Sequence, residues 1–420
     1  MNKTCLKVYE IINELPVIDI HTHIGGEGIR QARTLADIVS YHWVNLELIR
    51  AGARISGIDV SKNPNEYITA VLPFFNEIKN TANHWCLMKV LKDLYGFEER
   101  TLTEDNWKPL DVKVRESAED KNRVKKILEK GKIAKITVPF RDGMPYDSDQ
   151  FIPYEYGEYL FAPTMPSRLM DLAESNSGRI PESIDELANF IETRMKWLKE
   201  KENVRVFHLW IRDSWEYCHC HKEEAANLYH RLLKGRNLSI EEDDRLVSYT
   251  ADVVADVAGE LDITLQIFHG MEFYNRHEPG SVSSYSSEKF FRSMPKYASI
   301  HPDTMIDIFL ATRITGHEAV SIARSYRNII LSGAWWHAFN PTTMSTFYRD
   351  RLEMLPHTAW NAFFSDGYIV EWIYGKLQLT LNRLAHTLSS LIEEDFLQIE
   401  DIPEIAKNLL HDNALRIYKV

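Results

Sequence analysis

Cysteine is scarce: Cys5, Cys86, Cys218 and Cys220 are the four in 420 residues. They are too few and too irregularly placed for a disulfide framework. Long apolar runs are missing as well. No window approaches the ~18 uninterrupted apolar residues of a membrane span, so no membrane partner is expected. The opening stretch MNKTCLKVYEIINELP has neither an apolar core nor a cleavage-like site, which removes the signal-peptide reading. These absences lead us to expect a soluble protein of a reducing, cytoplasmic compartment. Basic charge is also in deficit. A formal charge of −12, with both signs mixed along the chain, leaves no basic face for phosphates and excludes a nucleic-acid partner from the expectations. The acid surplus is chiefly a matter of solubility, and one or two arginines can still set the charge of a pocket. No Gly-rich phosphate loop follows any β-rich run, and no short repeat or low-complexity tract is visible.

The composition that remains, 44% hydrophobic and 26% charged, is that of an ordinary globular protein. After an opening strand in PVIDIHTH, the segment 27–125 reads as mainly helical. TLADIVSYHWVNLELIRAGA and YITAVLPFFNEIKNTANHWCLMKVLKDLYGF carry apolar residues at three- and four-residue spacing, and Gly96 is a fitting stop for the second. SAEDKNRVKKILEKGK is a charged amphipathic helix leading to the next strand. From there short β-rich runs alternate with helical stretches. Strands are expected at 133–140, 159–165, 204–210, 263–269, 305–311, 328–336 and 361–366, making eight with the first. Such alternation points to an α/β fold, a (β/α)8 TIM-type barrel, rather than a doubly wound open sheet. α/β barrels run to ~250 residues or more as one unit. One domain over 1–420 is therefore expected, with 27–125 as a helical insertion subdomain after strand one.

In a barrel of this kind the C-terminal strand ends face the active site. His21 and His23 end strand one, and positions i and i+2 project to the same side. Two imidazoles there suit a divalent metal; a hydrogen-bonded histidine pair is the competing reading. Asp366 ends strand eight in FFSDGY, beside strand one once the barrel closes, where a carboxylate must find a partner. Its alternative is an N-cap for the following helix. His269, ending strand five, offers a fourth ligand or a substrate contact, against a plain core histidine. His208 has a weaker claim because it sits earlier in its strand. Strand four has no lysine to bridge two ions and strand six ends without a histidine, so one divalent ion is expected, zinc ahead of Mn2+, Fe2+ or Ni2+. CHCH at Cys218–His221 has no second cluster at zinc-finger spacing and reads as a decoy. Trp335 and Trp336 end strand seven, so at least one is expected to line the pocket. Arg168, after strand three, is the first choice to hold an anionic group through its planar fork, and Arg141, after strand two, the second. For both, a surface ion pair is the alternative.

These residues resemble the amidohydrolase superfamily, and within it the uronate isomerases, in their shorter, divergent branch. The resemblance spans nearly the whole chain. It is carried by VIDIHTHI, YHWVNLEL, the helical insertion, Arg168, ILSGAWWHAFNP and FFSDGY. It implies metal ligation by His21, His23 and Asp366 with His269 near the site, a uronate carboxylate held by Arg168, and His42 in the pocket. It also implies a proton moved between C2 and C1 of an open-chain sugar acid through a cis-enediol, with Asp366 able to act as base. Two positions depart from the family pattern. Trp43 stands where a tyrosine is usual, and Tyr368 where an arginine is usual, so Tyr368 or Tyr41 is expected to take over the proton transfer if the chemistry is kept, since an indole cannot exchange a proton as a phenol can. The expected ligand is thus a small sugar acid; homo-oligomerisation is left open. The second functional reading keeps the site and changes the reaction, to metal-activated hydrolysis of a carboxylate-bearing lactone, ester or amide. The third is a catalytically silent sugar-acid binding protein.

Overall fold

The computed structural model describes residues 2–25, 31–140, 149–273, 282–284 and 288–420. Eight strands form one parallel sheet in chain order: β1 (Val17–Asp19), β2 (Ile133–Pro139), β3 (Phe151–Tyr156), β4 (Val206–Leu209), β5 (Thr264–His269), β6 (Ile306–Leu310), β7 (Ile329–Ser332) and β8 (Trp360–Asn361). The sheet curls until its two edges meet past the ends of β1 and β8. There Thr22 and Gly367 form a parallel bridge, the Asp366 N–H donates to the His21 carbonyl at 2.9 Å, and the His23 N–H donates to the Gly367 carbonyl at 2.9 Å. Buried Asp19 reinforces the seam, its Oδ1 accepting from the N–H groups of Ser365 at 2.9 Å and His21 at 3.3 Å. Burial pushes the Asp19 carboxyl up to about 7.

Period-two alternation divides each strand between two cores. Val206, Phe268, Phe309 and Ile330 fill the inside of the curl with Ile18, Ile20, Ile152 and Tyr154. Phe207, Leu209, Leu265, Ile267, Ile308 and Leu331 face the surrounding helices. The C-terminal helix, Asn413–Tyr418, plugs the strand starts. Ala414, Ile417 and Tyr418 join the inner core, Thr264 Oγ1 donates to the Ile417 carbonyl at 2.9 Å, and Gln266 Nε2 donates to the Tyr418 hydroxyl at 3.0 Å. With that end filled, the cavity among the described residues lies at the C-terminal strand ends.

Between β1 and β2 the described residues hold helices and no strand, including His42–Ala51, Ala82–Tyr95 and Trp107–Ala118. They lean on the long helix Val370–Glu393 that follows β8. Tyr95 donates to Glu371 at 2.9 Å, Tyr374 to Asp93 at 2.8 Å, and Trp372 Nε1 to the Ile38 carbonyl at 2.9 Å.

The first strand stops at Asp19, short of His21 and His23, and the fourth shortens to Val206–Leu209; larger changes come at the third, seventh and eighth. The third strand is Phe151–Tyr156, and Glu158–Phe161, which overlaps the start of the expected 159–165, is a helical turn. Pro153 and Glu155 mask the strand signal, while Tyr159, Leu160 and Phe161 are apolar because they join the outer core. The seventh ends at Ser332, since Gly333 turns the chain with φ 46. The eighth keeps only Trp360–Asn361 in the ladder, and the chain runs on to Asp366 outside it. No helix among the described residues is long and apolar enough to cross a membrane.

Candidate active site

His21 and His23 leave the end of β1 with ring centroids 5.0 Å apart, edge to face. Asp366 arrives across the seam: its Oδ1 lies 2.9 Å from His23 Nε2 and 3.7 Å from His21 Nε2. These three offer ligand atoms within 4.8 Å of one another, and among the described residues no other His, Cys, Asp and Glu group does so. The second carboxylate oxygen of Asp366 accepts from Trp336 Nε1 at 3.1 Å. Both partners hold left-handed backbone, Asp366 with φ 54 and Trp336 with φ 44. That conformation is tolerated by aspartate and costly for tryptophan, a strain that clusters at functional sites. Asp366 does not cap the following helix, whose N-cap is Ile369.

The donor set fits a divalent ion. His21 is wholly buried, yet neither ring nitrogen closes a hydrogen bond of ordinary geometry, although the Gln266 amide lies near enough to favour a ring proton. Burial, with the rings of His23 and His208 beside it, holds His21 well below its ordinary value and so in the neutral form that ligates metal. Burial alone would raise the Asp366 carboxyl. The hydrogen bond and charge of His23, with Lys376 and His21 behind it, instead hold it well below the usual carboxylate range. Two imidazoles and a carboxylate leave a coordination position open for substrate.

The trio sits at the base of a cavity of about 950 Å³. Trp335, Trp336 and Tyr368 form part of its wall, with Tyr368 stacked on His23 at 4.7 Å. Tyr368 is 46% exposed at the cavity mouth, but desolvation of its hydroxyl and the Asp366 charge push that hydroxyl up, so it is protonated and a donor. Arg168 also faces the cavity. It lies in the helix Pro166–Ser175, and its guanidinium is oriented by the carbonyls of Ala162 at 3.2 Å and Trp210 at 2.7 Å. Nearby Arg212 is bound to Asp243 and Asp244.

Not every expected residue comes to this place. His269 is the clearest correction. Phe268 turns inward against His21 at 4.7 Å, so alternation sends the next side chain outward. His269 stacks on Phe290 at 4.5 Å, with Nδ1 3.4 Å from Asp213, and belongs neither to the trio nor to the described cavity wall. His42 and Trp43 lie one layer behind that wall. His42 meets the Tyr368 ring at 5.5 Å and Trp43 the Trp336 ring at 5.1 Å. Burial lowers His42 to about 4. Arg141 lies outside the described residues.

Of two further wall residues, the sequence ranks His208 too low and gives no sign of Glu158. His208 is near the end of β4, not early in a longer strand, and it turns inward with Val206. Its Nδ1 meets Glu158 Oε1 at 2.9 Å. Burial works against charge on Glu158, but the His208 ring, by charge and hydrogen bond, leaves that carboxyl below its ordinary value. The two-residue spacing from Val206 was the available signal for His208. Glu158 had none, because its position depends on where β3 ends.

No protein-family model matches the sequence, and no curated protein matches it significantly. Solved structures do share the fold. A uronate isomerase from Thermotoga maritima superposes with TM-score 0.87 at 12% identity, over 100% of this chain and 98% of that one. A glucuronate isomerase from Caulobacter crescentus gives 0.85 at 15% identity, over 99% and 94%. A provisionally named metal-dependent hydrolase from Lactobacillus casei gives 0.62 at 13% identity, over 98% and 97%.

Proposed function

We propose that this protein is a metal-dependent aldose–ketose isomerase acting on a hexuronate or a related sugar acid. The observation that carries the reading is the trio of His21, His23 and Asp366, with both His21 nitrogens unsatisfied, at the base of a cavity that also holds Arg168. The whole-length likeness to uronate isomerase structures supports it. His21, His23 and Asp366 would hold one divalent ion, zinc ahead of Mn2+, Fe2+ or Ni2+, and the chemistry it would supply is Lewis acidity toward the sugar's oxygens. Arg168 binds the C6 carboxylate, for which a planar fork of N–H donors is suited. Trp335 and Trp336 shield the reacting carbons from water. Tyr368 supplies a protonated hydroxyl at the wall. Asp366, kept ionised and shared between His23 and Trp336, serves the ion better than it serves as a base. The carbon proton passes from C2 to C1 by way of a cis-enediol.

Hydrolysis of a carboxylate-bearing lactone, ester or amide is the second reading. It is favoured by the hydrolase among the fold neighbours and by the indole of Trp43, behind the wall, where a proton-exchanging phenol is usual.

A panel of glucuronate, galacturonate and uronolactones, offered to metal-loaded protein, separates the two. The isomerase reading expects ketouronate formation that stops when the metal is removed by a chelator. His23→Ala should lower bound metal and activity together. Lactone hydrolysis without ketouronate would favour the second reading, and full metal content in His23→Ala would refute the ligand assignment.

A further inference from the structure

We propose that His208, oriented by Glu158, is the group that carries the substrate's carbon-bound proton from C2 to C1. The inference rests on the isomerase reading above.

The polar groups closest to the trio have other duties. His21, His23 and Asp366 form the trio, and both Asp366 oxygens are already shared with His23 and Trp336. Tyr368 is a phenol, a donor rather than a base in its neutral form. His42 is behind the wall. His208 faces the cavity and stands outside the trio. Its ring lies between those of His21, at 5.1 Å and 26°, and Phe268, at 4.4 Å and 28°, with Tyr156 edge-on at 5.0 Å. Three rings and one carboxylate therefore fix its plane. With Glu158 on Nδ1, the neutral ring keeps its proton there and leaves a lone pair on Nε2. A nitrogen base held in one tautomer by a carboxylate is the arrangement that makes imidazole an effective proton carrier.

The backbone of one residue, Trp210, ties this base to the carboxylate anchor. The Trp210 N–H donates to Glu158 Oε1 at 2.9 Å, and the Trp210 carbonyl accepts from Arg168 at 2.7 Å. A sugar acid gripped by Arg168 is thus registered against His208 through the Trp210 backbone and Glu158.

In the step itself, Nε2 takes the proton from C2. The C2–H electron pair becomes the C1–C2 double bond of the enediol, and the former C1 carbonyl oxygen gains a proton. His208 then returns its proton to C1, the O2–H proton leaves, and C2 becomes the ketone carbon. Net, one proton moves from C2 to C1 and one from O2 to O1, with no outside oxidant or reductant.

The test measures kcat, KM, bound metal and thermal melting for wild type, His208→Gln, His208→Ala and Glu158→Gln with a hexuronate. His208→Gln should lower kcat by about 10²–10⁴-fold with KM and metal content kept. Added imidazole should restore part of the activity of His208→Ala and none in wild type. Glu158→Gln should fall between wild type and His208→Gln in kcat, with KM unchanged. Unchanged kcat in His208→Gln, loss of metal along with activity, or failure of imidazole to rescue a folded His208→Ala would overturn the proposal. A wild type that isomerises no hexuronate would remove the reading beneath it, an outcome separate from a wild type that works and a His208→Gln variant that works equally well.

Discussion

Single residues at the strand ends carry the reading, and they differ in how legible they are. His21 and His23 are adjacent enough in sequence to be seen as a pair, and their adjacency survives folding. Asp366 is 343 residues from His23 and becomes its neighbour only because β1 and β8 close the curl. Arg168 could be expected in the pocket but not its support, since the carbonyls of Ala162 and Trp210 that orient it come from different parts of the chain. Its role predicts a specific kinetic signature. A hydrogen bond to a charged partner contributes about 1.5–3 kcal/mol, so Arg168→Met should raise KM for a uronate by about 10–100-fold while leaving kcat nearly intact. The corresponding uronamide should be almost indifferent to the substitution. A fall confined to kcat would mean that Arg168 does not grip the carboxylate. The left-handed backbone at Trp336 had no sequence signal; a bulky residue gives no warning of φ near +50.

Elements explain where expectation and structure part. Strand three was misplaced because Pro153 weakens a real strand while Tyr159–Phe161 mimics one, and that error also hid Glu158. His208 was undervalued because β4 is shorter than the β-rich run that contains it. Helix packing is equally specific. The helix Val370–Glu393 crosses Ala82–Tyr95 at Gly375, where an added Cβ would meet Val90 Cγ2 at 2.7 Å and the Cys86 carbonyl at 3.1 Å. Helix propensity alone would favour alanine by about 1 kcal/mol, but overpacking against a stiff valine and a backbone oxygen costs about 1–3 kcal/mol. Gly375→Ala should therefore lower the melting temperature, and a rise would show that the two helices separate at no cost.

A second element-level contact has a pH signature. His301 follows the helix Glu288–Ile300 and is held by Asp252 at 2.9 Å and Asp256 at 2.8 Å, both on Ile240–Glu260. Tyr217 and His219 also face Asp252. Burial opposes charge on His301, but the hydrogen bond and charge of Asp252, joined by Asp256, raise it above 6.5. A raised folded value means that this stabilisation is complete below 6.5 and fades as pH rises through the folded value. The melting-temperature gap between wild type and His301→Gln should accordingly be widest in mildly acidic buffer and shrink in alkaline buffer. A gap that grows with pH would contradict the assignment.

For the molecule as a whole, alternation of β-rich and helical stretches was enough to foresee eight parallel strands in chain order. It could not foresee the C-terminal plug, because Thr264, Gln266 and Tyr418 are unremarkable in sequence and meet only at the strand starts. That plug leaves the opposite end for the cavity, where one face gathers the trio, Arg168, and the His208–Glu158 pair. Likeness to solved structures at 12–15% identity reaches as far as the fold, and the chain's own residues give the cavity its chemistry. The most direct test is to strip the protein of metal, restore one equivalent of zinc, and follow glucuronate, galacturonate and their lactones by NMR. The account predicts ketouronate from an open-chain hexuronate only after zinc is restored. Lactone hydrolysis with both hexuronates left unchanged would contradict it.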